Sequence, residues 1–274
     1  MTVIYTYVII GLLIISFTSC LYFIYALGKN IEHQSNVLFL SKEETSKFLQ
    51  EDRDRYVQNM SSADLYARKA ANASEYIAKI QNLSLNFSEQ EKQKLQRCCK
   101  KADEFFRNFS YQDMNCNIIS KIRWKLALTS NGYEEGLPHT REDLIFLSRN
   151  IINDVIAADK NDHLLVSTLI HEKVHVFQRH HPDIMKKIID RMGYVEISNG
   201  LLPKLKRCNP DLNNKIYMTK DDKQILMILY KSDKPSGIND IKPVKSFASE
   251  HPYEKMAYEI ASNYDKSRWK DVSI

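Results

Sequence analysis

Residues 169–177 read Leu-Ile-His-Glu-Lys-Val-His-Val-Phe. His171 and His175 are four apart, so on a helix they share one face and can aim imidazole nitrogens at one metal ion. Glu172 sits beside the metal's open position, where its carboxylate can take a proton from a zinc-bound water. This is the chemistry of a hydrolytic zinc site with Glu172 as general base. The element that must hold it is a helix. Leu164, Leu165, Thr168, Leu169, Val174 and Phe177 give an apolar side, and no Gly or Pro interrupts the run from Asp162 until Pro182. A solvated helix carrying a chance pair of His is the plain alternative. Lys173 stands where such sites usually have an uncharged residue, and on a helix it points away from the His face.

A catalytic zinc takes three protein ligands and keeps a fourth position for water. Two candidates compete for the third place. His171, His175 and His181 have the spacing of the metzincin pattern, His-Glu-x-x-His-x-x-Gly-x-x-His, but Gln178 occupies the position of the helix-ending Gly. His181 also precedes Pro182, which fits a plain helix stop. The other candidate lies in residues 251–261, His-Pro-Tyr-Glu-Lys-Met-Ala-Tyr-Glu-Ile-Ala, where Pro252 suits a helix start and Glu254, Ala257 or Tyr258, and Ala261 share a face. Small residues at 257 and 261 let this helix approach another closely. The pair of segments resembles a gluzincin, the zinc metallopeptidase class whose third ligand is a Glu on a second helix. That resemblance implies Glu254 as the ligand, followed by a small residue, Ala257, three positions later. Glu259 is then the runner-up or a partner orienting a ligand His. An ordinary amphipathic C-terminal helix is the plain reading of the same segment.

Upstream, residues 121–128 and 143–148 read as two strands around a turn-rich segment at 131–138. A strand shortly before the zinc helix is where zincins present an edge, which pairs with an extended peptide through main-chain bonds. Gly136-Leu137-Pro138-His139-Thr140-Arg141 with Asp143-Leu144-Ile145, then Thr168-Leu169-Ile170 and the motif, resembles zinc metallopeptidases of large DNA viruses and some protists over residues 118–265. The likeness implies a protease fold and names no substrate. His139, Thr140 and Arg141 read equally as a polar loop leading into a strand. Catalysis also needs a donor for the tetrahedral oxyanion, and His251, Tyr253, Tyr258 and Tyr264 are near Glu254 in sequence.

The remaining chain bears on location. Residues 2–27 carry no charged side chain and are apolar from Val8 to Ala26, with Tyr5, Tyr7, Tyr22 and Tyr25 towards the ends. About twenty such residues span a bilayer as a helix, so a single-pass membrane protein is expected, ahead of a cleaved signal peptide. Asn-x-Ser sequons at Asn59, Asn72, Asn82, Asn86 and Asn108 favour a lumenal or extracellular domain, whereas Lys29 just after the span favours a cytoplasmic one. Cys20 lies in the span, and Cys98, Cys99, Cys116 and Cys208 are compatible with two disulfides or none.

The expected fold class is α+β: a zincin-like catalytic domain with a small mixed sheet, an active-site helix and a second helical subdomain, behind a transmembrane helix. The parts are a membrane helix over residues 1–27, a juxtamembrane helical region over 28–112, a catalytic subdomain over 113–190 and a C-terminal subdomain with the third-ligand helix over 191–274. The partners expected are a peptide or protein substrate, Zn2+ held by His171, His175 and Glu254, and a lipid bilayer through residues 2–27. A net charge of +5 without a Lys/Arg cluster gives no case for nucleic acid. The alternative function is a catalytically silent structural or interaction protein of a membrane or virion.

Overall fold

The structure is a computed structural model that describes residues 36–157, 162–197, 203–213, 215–247 and 250–271. Residues 37–274 make one compact unit. Its strands are β1 (Val37–Phe39), β2 (Ser84–Leu85), β3 (Ser110–Tyr111), β4 (Met114–Asn115), β5 (Trp124–Thr129), β6 (His139–Arg141), β7 (Leu144–Ser148), β8 (Tyr194–Ile197), β9 (Ile216–Thr219) and β10 (Ile225–Leu226). Its helices are α1 (Lys42–Glu51), α2 (Ser62–Ala67), α3 (Ala73–Ile80), α4 (Glu89–Asn108), α5 (Asn117–Ser120), α6 (Arg149–Ala157), α7 (Asp162–His180), α8 (Pro182–Arg191) and α9 (Pro252–Asp271).

The main sheet runs β1-β5-β7-β6, with β1, β5 and β7 parallel and β6 antiparallel to β7, while β2 pairs with the far end of β5. Side chains on a strand alternate between faces, and here both faces are apolar. Leu126, Leu128, Ile145 and Leu147 join one core cluster with Leu165, Leu169, Val174 and Phe177 of α7. Ala127, Leu144 and Phe146 face the other way, against Phe48, Leu49, Tyr76 and Ile80 of α1 and α3. The sheet is thus sandwiched, with α7 and α4 on one side and the short N-terminal helices on the other.

Local chemistry starts these helices. Ser41, Ser61 and Ser88 form capping boxes with Glu44, Asp64 and Glu91, and Asn72 caps α3. Several sequon residues therefore act in helix capping. The C-terminal part carries an antiparallel sheet in the order β10-β9-β8 beside α9. Gly193, at φ +78°, makes the left-handed turn that lets the chain leave α8 for β8.

Two expectations are corrected. The C-terminal part is a mixed sheet-and-helix region instead of a helical subdomain, and the unit as a whole is mixed α/β, its main sheet having two parallel and two antiparallel pairings, as the expected mixed sheet does. The transmembrane helix expected over residues 1–27 lies outside the described residues. Among the described residues no helix is long and apolar enough to cross a membrane, so the single-pass membrane placement and its lumenal orientation are withdrawn. The physical reason is visible in the longest helices: α4 and α9 have the length, at 20 residues each, but α9 carries Glu254, Lys255, Glu259, Asp265 and Lys266, and α4 is more charged still.

Candidate metal centre

α7 is the spine of the site. Its apolar side is buried in the core, which turns His171 and His175 towards Glu254 of α9 and Glu172 towards Thr140 of β6, and Ala257 and Ala261 on α9 allow the two helices to pack closely. Nε2 of His171 and Nε2 of His175 lie 3.1 Å apart. Glu254 Oε2 is 3.4 Å from the first and 3.8 Å from the second. Donor atoms about 2.0–2.1 Å from a tetrahedral zinc stand about 3.3–3.4 Å from one another, so this triangle fits such an ion. Among the described residues, this is the one group of three or more such side chains close enough to share a metal.

Two of the three candidate ligands are oriented by a hydrogen-bonded neighbour. His175 is fully buried, and its Nδ1 lies 2.8 Å from Gln178 Oε1. The Gln178 amide is itself fixed, because Nε2 donates to the Tyr253 carbonyl at 3.0 Å. Its oxygen therefore faces His175, Nδ1 carries the proton, and the Nε2 lone pair is left for a metal. Glu254 receives Asn209 Nδ2 on Oε1 at 2.9 Å, which leaves Oε2 turned to the His pair. Burial alone would raise the Glu254 carboxyl, but His175 and His171 outweigh it and hold the group well below the ordinary carboxylate range.

Glu172 is buried, and its Oε2 accepts from Thr140 Oγ1 at 2.8 Å. Burial, with the Asp211 carboxylate next in importance, pushes Glu172 well above its usual range, against the pull of His175 and Thr140. A carboxylate so raised is a stronger base than one in water.

The edge expected to bind substrate is placed differently. The strand preceding the motif helix, β7, is interior to the sheet, and the edge is β6, where a polar loop was the equal reading. Thr140 has both outward backbone groups in use: its N–H donates to Asp211 Oδ1 at 2.5 Å, and its carbonyl accepts from Arg179 at 2.9 Å. The same Arg179 nitrogen reaches the Pro210 carbonyl at 2.6 Å. The loop at 207–211 thus covers the edge strand. What stays open is a cavity of about 470 Å³ whose walls include Ser167, Thr168, Arg207, Phe247, Tyr258 and Ala261, with His171, Glu172 and Glu254 also lining it.

The other candidates fall elsewhere. His181 initiates α8 and packs its ring on Phe177, with centroids 4.7 Å apart, away from the triangle. Glu259 accepts the Tyr111 hydroxyl at 2.5 Å. His251 is buried, its Nδ1 accepts the Tyr253 N–H and its Nε2 faces Asn213, and burial lowers its pKa to about 3. Tyr264 packs against Phe105 and His163. Tyr258 alone of the four oxyanion candidates lines the cavity, its ring 4.6 Å from that of His171. Burial, with the nearby Glu254 charge, lifts its hydroxyl to about 12, so it keeps its proton as a donor.

Lys173, the departure from the motif, points away from the His face into the core, where its ammonium meets Asp103 Oδ1 at 2.6 Å and lies 4.0 Å from the centre of the Trp124 ring. The residues missed in the sequence are Gln178, Asn209, Asp211 and the role of Thr140. Of these, Gln178 alone carried a signal, because it sits three residues after His175 on the same helical face. No protein-family model, curated protein or solved structure matches this chain.

Proposed function

We propose that this chain is a zinc-dependent metallopeptidase with gluzincin-type ligation, in which His171, His175 and Glu254 hold the ion. The observation that carries the reading is the fit of the three donor atoms to one tetrahedral metal, 3.1, 3.4 and 3.8 Å apart, with Glu172 beside them on the same cavity wall. Bound there, zinc supplies Lewis acidity, lowering the pKa of a water towards neutrality and polarising a carbonyl. Glu172 accepts the proton of the attacking water and returns it to the amine that leaves when the C–N bond breaks. Thr140 holds the Glu172 carboxylate at one oxygen, so the other is free to work. Tyr258 donates its O–H to the negative oxygen that develops on the former carbonyl. With β6 covered by Asp211 and Arg179, substrate reaches the centre through the cavity that α7 and α9 line together with the loop at 207–211.

The test uses the full chain. Metal content is measured by mass spectrometry alongside cleavage of a peptide library, for wild type, His171→Ala, Glu172→Gln and Glu254→Ala. The expected result is one zinc in wild type and Glu172→Gln, loss of zinc in the other two, and cleavage by wild type alone. No zinc in the wild type overturns the reading. Stoichiometric zinc without cleavage would favour a silent metal-binding protein.

A further inference from the structure

The loop at 207–211 does more than cover the strand edge. Asn209 Nδ2 donates to Glu254 Oε1 at 2.9 Å and to Glu250 Oε2 at 3.2 Å. The amide cannot be turned over without loss, because its oxygen accepts the Asp211 N–H at 2.9 Å. Glu250 is held from the other side by Arg207 at 2.8 Å. Both carboxylates are buried, so the two Asn209 protons stand between negative groups that water cannot screen. Asp211, two residues on, ties the same loop to Thr140, the residue that holds Glu172.

We propose that Asn209 is a positioning residue that selects which oxygen of Glu254 faces the His pair, and so sets the affinity and coordination number of the metal centre. The inference rests on the zinc reading above. With Nδ2 bonded to Oε1, only Oε2 is turned to His171 and His175, and Glu254 binds through one atom. Removal of the donor makes the two oxygens equivalent towards the metal. The carboxylate can then rotate to present both, occupying space that a single-oxygen ligand leaves for water and substrate. Partners that orient a ligand in this way typically govern metal affinity by 10–100-fold.

The test compares wild type, Asn209→Ala and Asn209→Ser as full chains, with folding checked by circular dichroism. Zinc affinity is read by competition with a chromophoric chelator, well below the melting temperature, and cobalt(II) is substituted to record its visible absorption. Both variants are expected to bind zinc about 10–100-fold more weakly. Their cobalt bands should be weaker than those of the wild type, as a second Glu254 oxygen joins and the coordination number rises above four. A merely structural residue would leave the cobalt spectrum unmoved. An unchanged cobalt spectrum in either folded variant, whatever its zinc affinity, overturns the proposal, and so does zinc affinity within threefold of wild type. Failure of the underlying reading looks different: the wild type itself then takes up neither metal, and the proposal falls with it.

Discussion

The pair formed by Lys173 and Asp103 offers the sharpest test of how the motif helix is held. The Lys173 side chain is 1 % exposed and the Asp103 side chain 11 %, their charged atoms are 2.6 Å apart, and Asp103 Oδ2 also accepts Trp124 Nε1 at 3.0 Å. Burial pushes the Lys173 ammonium down and the Asp103 carboxyl up, in each case outweighing the partner's attraction. The pair is therefore not a net source of stability compared with apolar residues, yet either member alone is an uncompensated buried charge. Asp103→Asn and Lys173→Met should each cost about 3–5 kcal/mol, and the double variant should be less damaged than either, because no buried charge remains. Urea denaturation of the metal-free protein measures these differences. A further sign follows. In Asp103→Asn the unpaired lysine binds its proton more tightly in the unfolded chain, so the deficit should shrink as pH rises towards the ordinary lysine value of about 10.4. A double variant that costs the sum of the two singles would refute the reasoning.

Glu134 is fully buried against Arg68, at 2.9 and 2.6 Å, and against the Tyr76 hydroxyl at 2.9 Å. Burial would raise its carboxyl, but Arg68 prevails and brings it down to about 2. A depressed acid stabilises the fold above its unfolded pKa, so on the order of 3 kcal/mol present above about pH 4.5 should be lost as pH falls to about 2. Stability against pH should be flatter across that window in Glu134→Gln, and an identical slope would contradict the assignment. Tyr258→Phe removes the proposed oxyanion donor while keeping the ring on His171, so kcat should fall about 10²–10³-fold with zinc content unchanged; a fall confined to a higher KM would instead make Tyr258 a binding residue.

The site was legible in the sequence where its geometry is local. His171, Glu172 and His175 lie within one and a half helical turns, and the helix period alone places them together. Glu254 is 79 residues beyond His175, and no periodicity connects them; it was reached through a resemblance in which a small residue three positions on marks close helix packing. Asn209, Asp211 and the role of Thr140 were invisible for a different reason. Each acts through a loop or a three-residue strand, where residue type says little and the partner is set by tertiary packing. Lys173 was placed away from the His face by the helix period, as the structure has it, but its buried partner Asp103, 70 residues upstream, was not legible.

The edge strand was opaque for a physical reason as well. His-Thr-Arg at 139–141 has no strand period and reads equally as a polar loop, yet all three residues are buried. Their burial is paid for by polar partners: Arg141 pairs with Asp52 at 2.7 Å and with Asp54, Thr140 with Asp211 and Glu172, and His139 Nδ1 with the Leu137 carbonyl at 2.9 Å. A strand built on charged and hydroxyl groups satisfied from three other segments is opaque to hydrophobic patterning. It is also where Glu172, the proposed general base, is anchored. Thr140 can fix Glu172 only if β6 is itself held, and Asp211 and Arg179 hold it from outside the sheet. The covering of the edge strand and the aiming of Glu172 are thus one arrangement, and a change at Asp211 should disturb both.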